Sequence, residues 1–104
     1  MKVIIKETNL RLTPENKKVI EDKIAPMDKF IPNLNETVEA FIEVALETHH
    51  HKKGSIYYAE ANINVPGTII RAEARAENIY KAVNEVKDEL QVLLKKYKAR
   101  IVKH

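Results

Sequence analysis

An α+β fold with the order β-α-β-β-β-α is what this 104-residue chain predicts, and three observations carry it. Apolar residues alternate with polar ones in three stretches, and a β-branched run precedes them, which is the signature of strands with one buried face. Two longer stretches repeat their apolar residues every three or four positions, the period of an amphipathic helix. The segments between them hold turn-forming Pro, Gly and Asn or helix-capping residues.

The run "KVIIKE" reads as the first strand, ending near Thr8 and Asn9. Thr13-Pro14 opens a helix, because the threonine hydroxyl can accept from free N–H groups and proline is tolerated at the first helical position. Ile20, Ile24, Met27 and Ile31 form the apolar stripe of this helix over residues 14–31. Pro26 falls inside it and should kink or loosen it about one turn before its end. "PNLNE" is turn chemistry. From Thr37 onward Val38, Ala40, Ile42, Val44 and Leu46 alternate with Glu39, Phe41, Glu43, Ala45 and Glu47. "THHHKKGS" is a connecting loop, after which Tyr57, Ala59, Ala61, Ile63 and Val65 alternate with Tyr58, Glu60, Asn62 and Asn64. "PGT" marks a tight turn into Ile70, Ala72 and Ala74, which alternate with Arg71, Glu73 and Arg75. Asn78 can cap a long last helix, with Ile79, Val83, Val86, Leu90, Leu93, Leu94 and Tyr97 along one stripe. Three strands joined by short loops make an antiparallel meander, and a helical crossover from the first strand to the second favours parallel pairing. The expected architecture is a four-stranded mixed sheet with two helices on one face, resembling double-stranded-RNA-binding domains. The other face, with Glu39, Glu43, Glu60, Asn62, Arg71 and Glu73, is wet.

The length suits one domain with one core, so residues 1–104 are expected to form a single unit. No cysteine is present, which excludes a disulfide framework, a thiolate nucleophile and a Cys-ligated zinc site. No apolar run is long enough to span a membrane, and "MKVIIKETN" is too short for a signal peptide, so a soluble cytoplasmic protein is expected.

Catalytic chemistry finds little support. There is no Gly-rich phosphate loop, Ser55 is the one serine, and the strand carboxylates alternate outward as solvated groups. His49, His50 and His51 are adjacent imidazoles of the kind that ligate transition metals. On an extended chain neighbours face opposite ways, so at most two converge; the run is read as a polar loop rather than a metal site. Tyr57 and Tyr97 fall on core stripes, whereas Tyr58 and Tyr80 serve equally well as surface residues or as platforms for stacked bases. The first helix balances four lysines against four acids over residues 14–31. Residues 78–104 instead carry seven basic residues against three acids, and all three acids precede Lys95. A positive helix C-terminus complements the helix macrodipole and equally suits phosphate neutralisation. Charge alone leaves both readings open, with shape recognition of folded RNA the specific alternative.

Two stretches carry a resemblance. "NLRLTPENKKVIEDKI" is similar to the opening of the ribosome hibernation-promoting factor family, also called ribosome-associated inhibitor or ribosomal subunit interface protein. "IIRAEARAENIYKAVNEVKDELQVLLKKYKARI" is similar to its most recognisable segment, with Tyr80, Ala82, Leu90, Lys96, Tyr97 and Lys98 in the expected places. The resemblance runs almost end to end and implies a non-enzymatic stress factor that needs no cofactor. Such a factor binds the small ribosomal subunit in the tRNA–mRNA channel, blocks translation and preserves idle ribosomes, with no membrane or small-molecule substrate. Its contacts to 16S rRNA come mainly from basic residues of the two helices. By position these are Lys17, Lys23 and Lys29 in the first helix, and Lys95, Lys96, Lys98 and Arg100 in the second, with Arg71 on the fourth strand. Arg71, together with Arg75, serves equally well as a solvated strand-face charge. Lys81 and Lys87 of the second helix are expected as further contacts. The chain resembles the short form, without the second, dimerising domain of longer members.

The departures from the family pattern are specific. Pro26 stands where a second lysine of the first helix is common, Asn78 and Asn84 replace two aspartates, and Lys81 replaces a small residue. "DELQVLL" replaces a segment with more cations: Glu89 stands for lysine, and Val92 and Leu93 stand for arginine and glutamine. Two phosphate contacts are thereby lost and a repulsive charge is gained. If Val92 faces solvent, a homodimer through the last helix competes with the RNA reading, since exposed apolar patches mark partner sites.

Overall fold

The computed structural model describes residues 1–32, 38–47 and 54–102. Strand β1 (Lys2–Thr8) leads through Asn9, whose φ of 57° is a left-handed conformation that asparagine tolerates, toward helix α1 (Pro14–Ile24). Thr13 caps α1 as its sequence predicts: the Asn16 amide donates to Thr13 Oγ1 at 3.1 Å, and the Thr13 amide donates to Asn16 Oδ1 at 3.0 Å. Asparagine thus takes the part that Glu or Gln usually plays in the reciprocal cap. The α-helical segment ends sooner than the apolar stripe. Pro26 has no N–H for the Asp22 carbonyl, and its ring crowds that turn, so the chain tightens into a 3-10 helix over Ala25–Phe30.

Strands β2 (Glu39–Glu47), β3 (Ile56–Val65) and β4 (Thr68–Ala76) form the expected meander, and β1 pairs parallel with β2. The sheet order is β1-β2-β3-β4, which leaves β4 on an outer edge. Pro66 and Gly67 make the two-residue β3–β4 turn, with Gly67 at a φ of 87° that favours glycine. Helix α2 (Ile79–Val102) starts at the predicted cap, where the Lys81 amide donates to Asn78 Oδ1 at 2.8 Å.

One core lies between the sheet and the helices. Ile20 and Ile24 of α1 meet Ile42, Val44, Ile63 and the α2 residues Val83, Val86, Leu90 and Leu94, all of them fully or almost fully buried. Ala59, Ala61 and Ala72 keep the centre of the sheet low, so that α2 can lie close over β3 and β4. Ile31, expected in the core, is only half-buried: the 3-10 turn ends at Phe30, and Ile31 follows it in an extended conformation that leaves the helical stripe. Tyr57 is likewise half-buried.

Candidate nucleic-acid interface

Helix α2 carries the basic end, and its rotation of ~100° per residue sets where each cation points. Leu90, Leu94 and Tyr97 are buried against the sheet, and the Tyr97 hydroxyl donates to the Pro66 carbonyl at 2.9 Å. That bond ties the last turns of the helix to the β3–β4 turn. Lys95, Lys96, Lys98 and Arg100 are all exposed around the rest of the circumference. Lys95 Nζ sits 5.3 Å from the centre of the Phe30 ring, and Lys29 Nζ sits 5.2 Å from the same centre. Phe30 therefore brings together one lysine from each helical segment. On the opposite flank of α2, Lys96 and Arg100 join Leu93, Ile69 and Arg71 around an open groove of roughly 620 Å³.

The ten predicted contact residues separate into three sets. Lys29, Lys95, Lys96, Lys98 and Arg100 gather at one end of the helical layer and make no ion pair with a carboxylate among the described residues. Lys23 is half-buried partway along α1. The remainder are engaged by acids. Lys17 lies 3.3 Å from Glu7, Lys81 lies 3.5 Å from Glu77, and Lys87 lies 3.7 Å from Asp88. Lys17 and Lys81 also belong to the far end of the layer, where Asn16 Nδ2 donates to the Tyr80 hydroxyl, about 24 Å of helix from Lys96. Tyr80 is thus a half-buried link between the two helices.

Arg71 belongs to both the groove and the open sheet face. There its guanidinium meets Glu60 at 2.7 Å and Glu73 at 3.6 Å. Pairing register aligns Glu43, Glu60 and Glu73 across β2, β3 and β4. Like charges directly opposite one another are unfavourable, so the row needs donors. Thr8 donates to Glu43 at 2.8 Å, and Asn62 donates to Glu60 at 2.9 Å. The Tyr58 hydroxyl donates its one proton between Glu60 at 2.6 Å and Glu73 at 2.7 Å. The hydrogen bond from Tyr58 holds the Glu60 carboxyl below its ordinary pKa, with help from Asn62 and Arg71. Burial and the two carboxylates push the Tyr58 phenol well above its ordinary value. These acids are therefore knit into a network, where the alternation alone suggested solvated charges. The Arg75 guanidinium covers the Tyr58 ring at 4.7 Å, so that face of the ring is closed to a stacked base.

Phe30 escaped the sequence reading because α-helical periodicity places it off the Ile20–Ile24–Met27 stripe; three residues per turn swing it toward α2. The histidines His49, His50 and His51 lie outside the described residues. Among the described residues no group of three His, Asp or Glu side chains is placed to hold a metal ion, and no helix is long and apolar enough to cross a membrane.

Residues 3–102 match the family described as Sigma 54 modulation protein / S30EA ribosomal protein. The chain is 31% identical over 104 residues to the ribosome hibernation promoting factor of Acinetobacter guillouiae, covering 94% of this chain and 88% of that protein. It is 29% identical to the ribosome hibernation promotion factor of Picosynechococcus sp., covering 96% of this chain but 50% of that protein. It therefore spans most of the first relative and about half of the second. Among solved structures, the Thermus thermophilus Protein Y N-terminal domain superposes with a TM-score of 0.75 at 20% identity, covering 93% of this chain and 99% of that one. A ribosomal subunit interface protein from Coxiella burnetii gives a TM-score of 0.66 at 22% identity, covering 95% and 99% respectively. The two structures share this fold.

Proposed function

This chain belongs to the Sigma 54 modulation protein / S30EA ribosomal protein family, and from that membership we propose that it is a non-enzymatic, ribosome-binding translation inhibitor acting in the cytoplasm. The observation that carries the reading further is the cluster of Lys29, Lys95, Lys96, Lys98 and Arg100, which have no carboxylate partners among the described residues. Cations already paired with acids would have to give up those partners to neutralise phosphate, whereas these need not. The row of Glu43, Glu60 and Glu73 repels a polyanion from the open sheet face, so the helical layer faces the RNA. The partner is the 16S rRNA of the small subunit, in the channel that tRNA and mRNA use. Lys17, Lys81, Lys87 and Arg71, each held by a carboxylate, contribute less, and Lys23 stands between the two sets.

Co-sedimentation with isolated small subunits across a salt series tests this. Binding is expected to saturate near one chain per subunit. The logarithm of affinity should fall linearly with the logarithm of salt, with a slope set by about five phosphate contacts. Reversing charge at Lys95, Lys96 and Lys98 should abolish association and leave the melting temperature nearly unchanged. Binding that ignores both salt and those substitutions would overturn the assignment.

A further inference from the structure

One flank of the molecule presents, side by side, two features that have no partner among the described residues. Strand β4 is an edge of the sheet, so its outer backbone groups pair with no strand among the described residues. Above it, Glu85, Glu89, Lys96 and Arg100 fall within a ~60° arc of α2, with Val92 and Leu93 bordering the midpoint of that row. Val92 is 52% exposed and Ile69, on the same flank, is 61% exposed. Glu85 and Glu89 are like charges four residues apart, as are Lys96 and Arg100. Both spacings weaken an isolated helix. None of the four makes an ion pair among the described residues. An acidic half followed by a basic half, with apolar residues between, is complementary to itself when reversed.

We propose that this flank is a homodimer interface, in which a second copy related by a twofold axis pairs its β4 edge antiparallel to this one and lays its α2 antiparallel beside this α2. Glu85 then faces the partner's Arg100, and Glu89 faces the partner's Lys96. Both pairings centre between Val92 and Leu93, so the apolar residues of the two copies meet at the axis. The strand obeys the same symmetry. Centred on Ala72, antiparallel pairing sets Arg71 opposite the partner's Glu73 on the open face, where both side chains are about half exposed. The two centres coincide in height, because Leu93 lines the groove beside Ile70 and Arg71. The spacing also fits. Paired strands lie about 4.8 Å apart, and α2 packs over β4 and β3, which sets the two helix axes about 10 Å apart, a normal packing distance. The dimer would cover Lys96 and Arg100, so the dimer and the RNA-bound monomer are alternative states of one surface. The interface itself stands on charge and symmetry and does not depend on the ribosome reading.

Light scattering or sedimentation of the whole chain over a concentration series at low salt should show the mass rising from one chain toward two. The variant Glu85→Lys/Glu89→Lys and the variant Lys96→Glu/Arg100→Glu should each weaken association by on the order of tenfold or more, since each sets like charges against like. Mixed in equal amounts, the two variants should associate with each other, and the four substitutions combined in one chain should restore the homodimer. Circular dichroism would show that each variant keeps its helices. A wild-type chain that stays at single-chain mass would overturn the proposal and leave the flank to a different partner. Variants that dimerise as well as wild type, or a mixture that associates no better than its components, would overturn it too.

Discussion

Tyr58 is where single side chains matter most. Its hydroxyl lies between Glu60 and Glu73, which register brings face to face on adjacent strands. Replacing it by phenylalanine leaves the two carboxylates without their shared donor, and unfolding by urea should show a loss of about 1–2 kcal/mol. The raised phenol pKa gives a signed pH dependence. Because the folded state favours the protonated phenol, its contribution is complete below the ordinary value of 10.0 and falls as pH rises beyond it. An ultraviolet titration of the wild-type chain beside the Tyr58→Phe variant should show that a late-ionising phenol is lost with the substitution. At the acid end the sign reverses. Glu60 is lowered mainly by Tyr58, and Glu7 is lowered mainly by the Leu12 amide with further help from Lys17. Their stabilisation is full above the ordinary carboxylate value of 4.5 and is lost as pH drops through the lowered folded values, which thermal melts between neutral and acid pH would record. Alternation along each strand places these residues outward correctly. Which carboxylates stand opposite each other depends on how two strands are registered, and no single strand encodes that.

Elements obey their own rules more legibly than residues do. Thr13-Pro14 and Asn78 start their helices as capping chemistry dictates, and Asn78→Ala should cost about 1 kcal/mol in a denaturation curve. The three-and-four spacing of Val83, Val86, Leu90 and Leu94 marks the buried side of α2. Leu90→Ala at its centre should destabilise by about 2–5 kcal/mol, the range for a large core side chain cut back to a methyl. Pro26 announces an interruption, but not the conformation of the chain beyond it. The chain could kink and resume as α-helix or tighten, and the outcome depends on Met27 and Phe30 finding places against the rest of the molecule. That undetermined turn places Lys29 on the same Phe30 ring as Lys95, so the element least legible in the sequence is the one that completes the candidate site.

At the scale of the molecule, charge is divided between layers: a knit carboxylate row crosses the open sheet face, and cations with no carboxylate partner among the described residues crowd the end of the helical layer. The gradient along α2 was readable from the order of its residues. Its joining to Lys29 and its separation from Lys17 required the packed fold. Among the described helices and strands, amide exchange should be slowest in β2, β3 and the middle of α2, and faster in α2 beyond Tyr97, where residues 98–101 are exposed. The order of elements along the chain also bears on its birth. Helix α2 comes after the sheet yet supplies Ala82, Val83, Val86, Leu90, Leu94 and Tyr97 to the core. During synthesis the meander is complete while its apolar side still lacks most of its cover. A nascent chain at that stage is prone to aggregate and is a natural client for a chaperone that shields apolar surface. The hazard ends when α2 emerges and docks, which is also when the basic cluster is assembled.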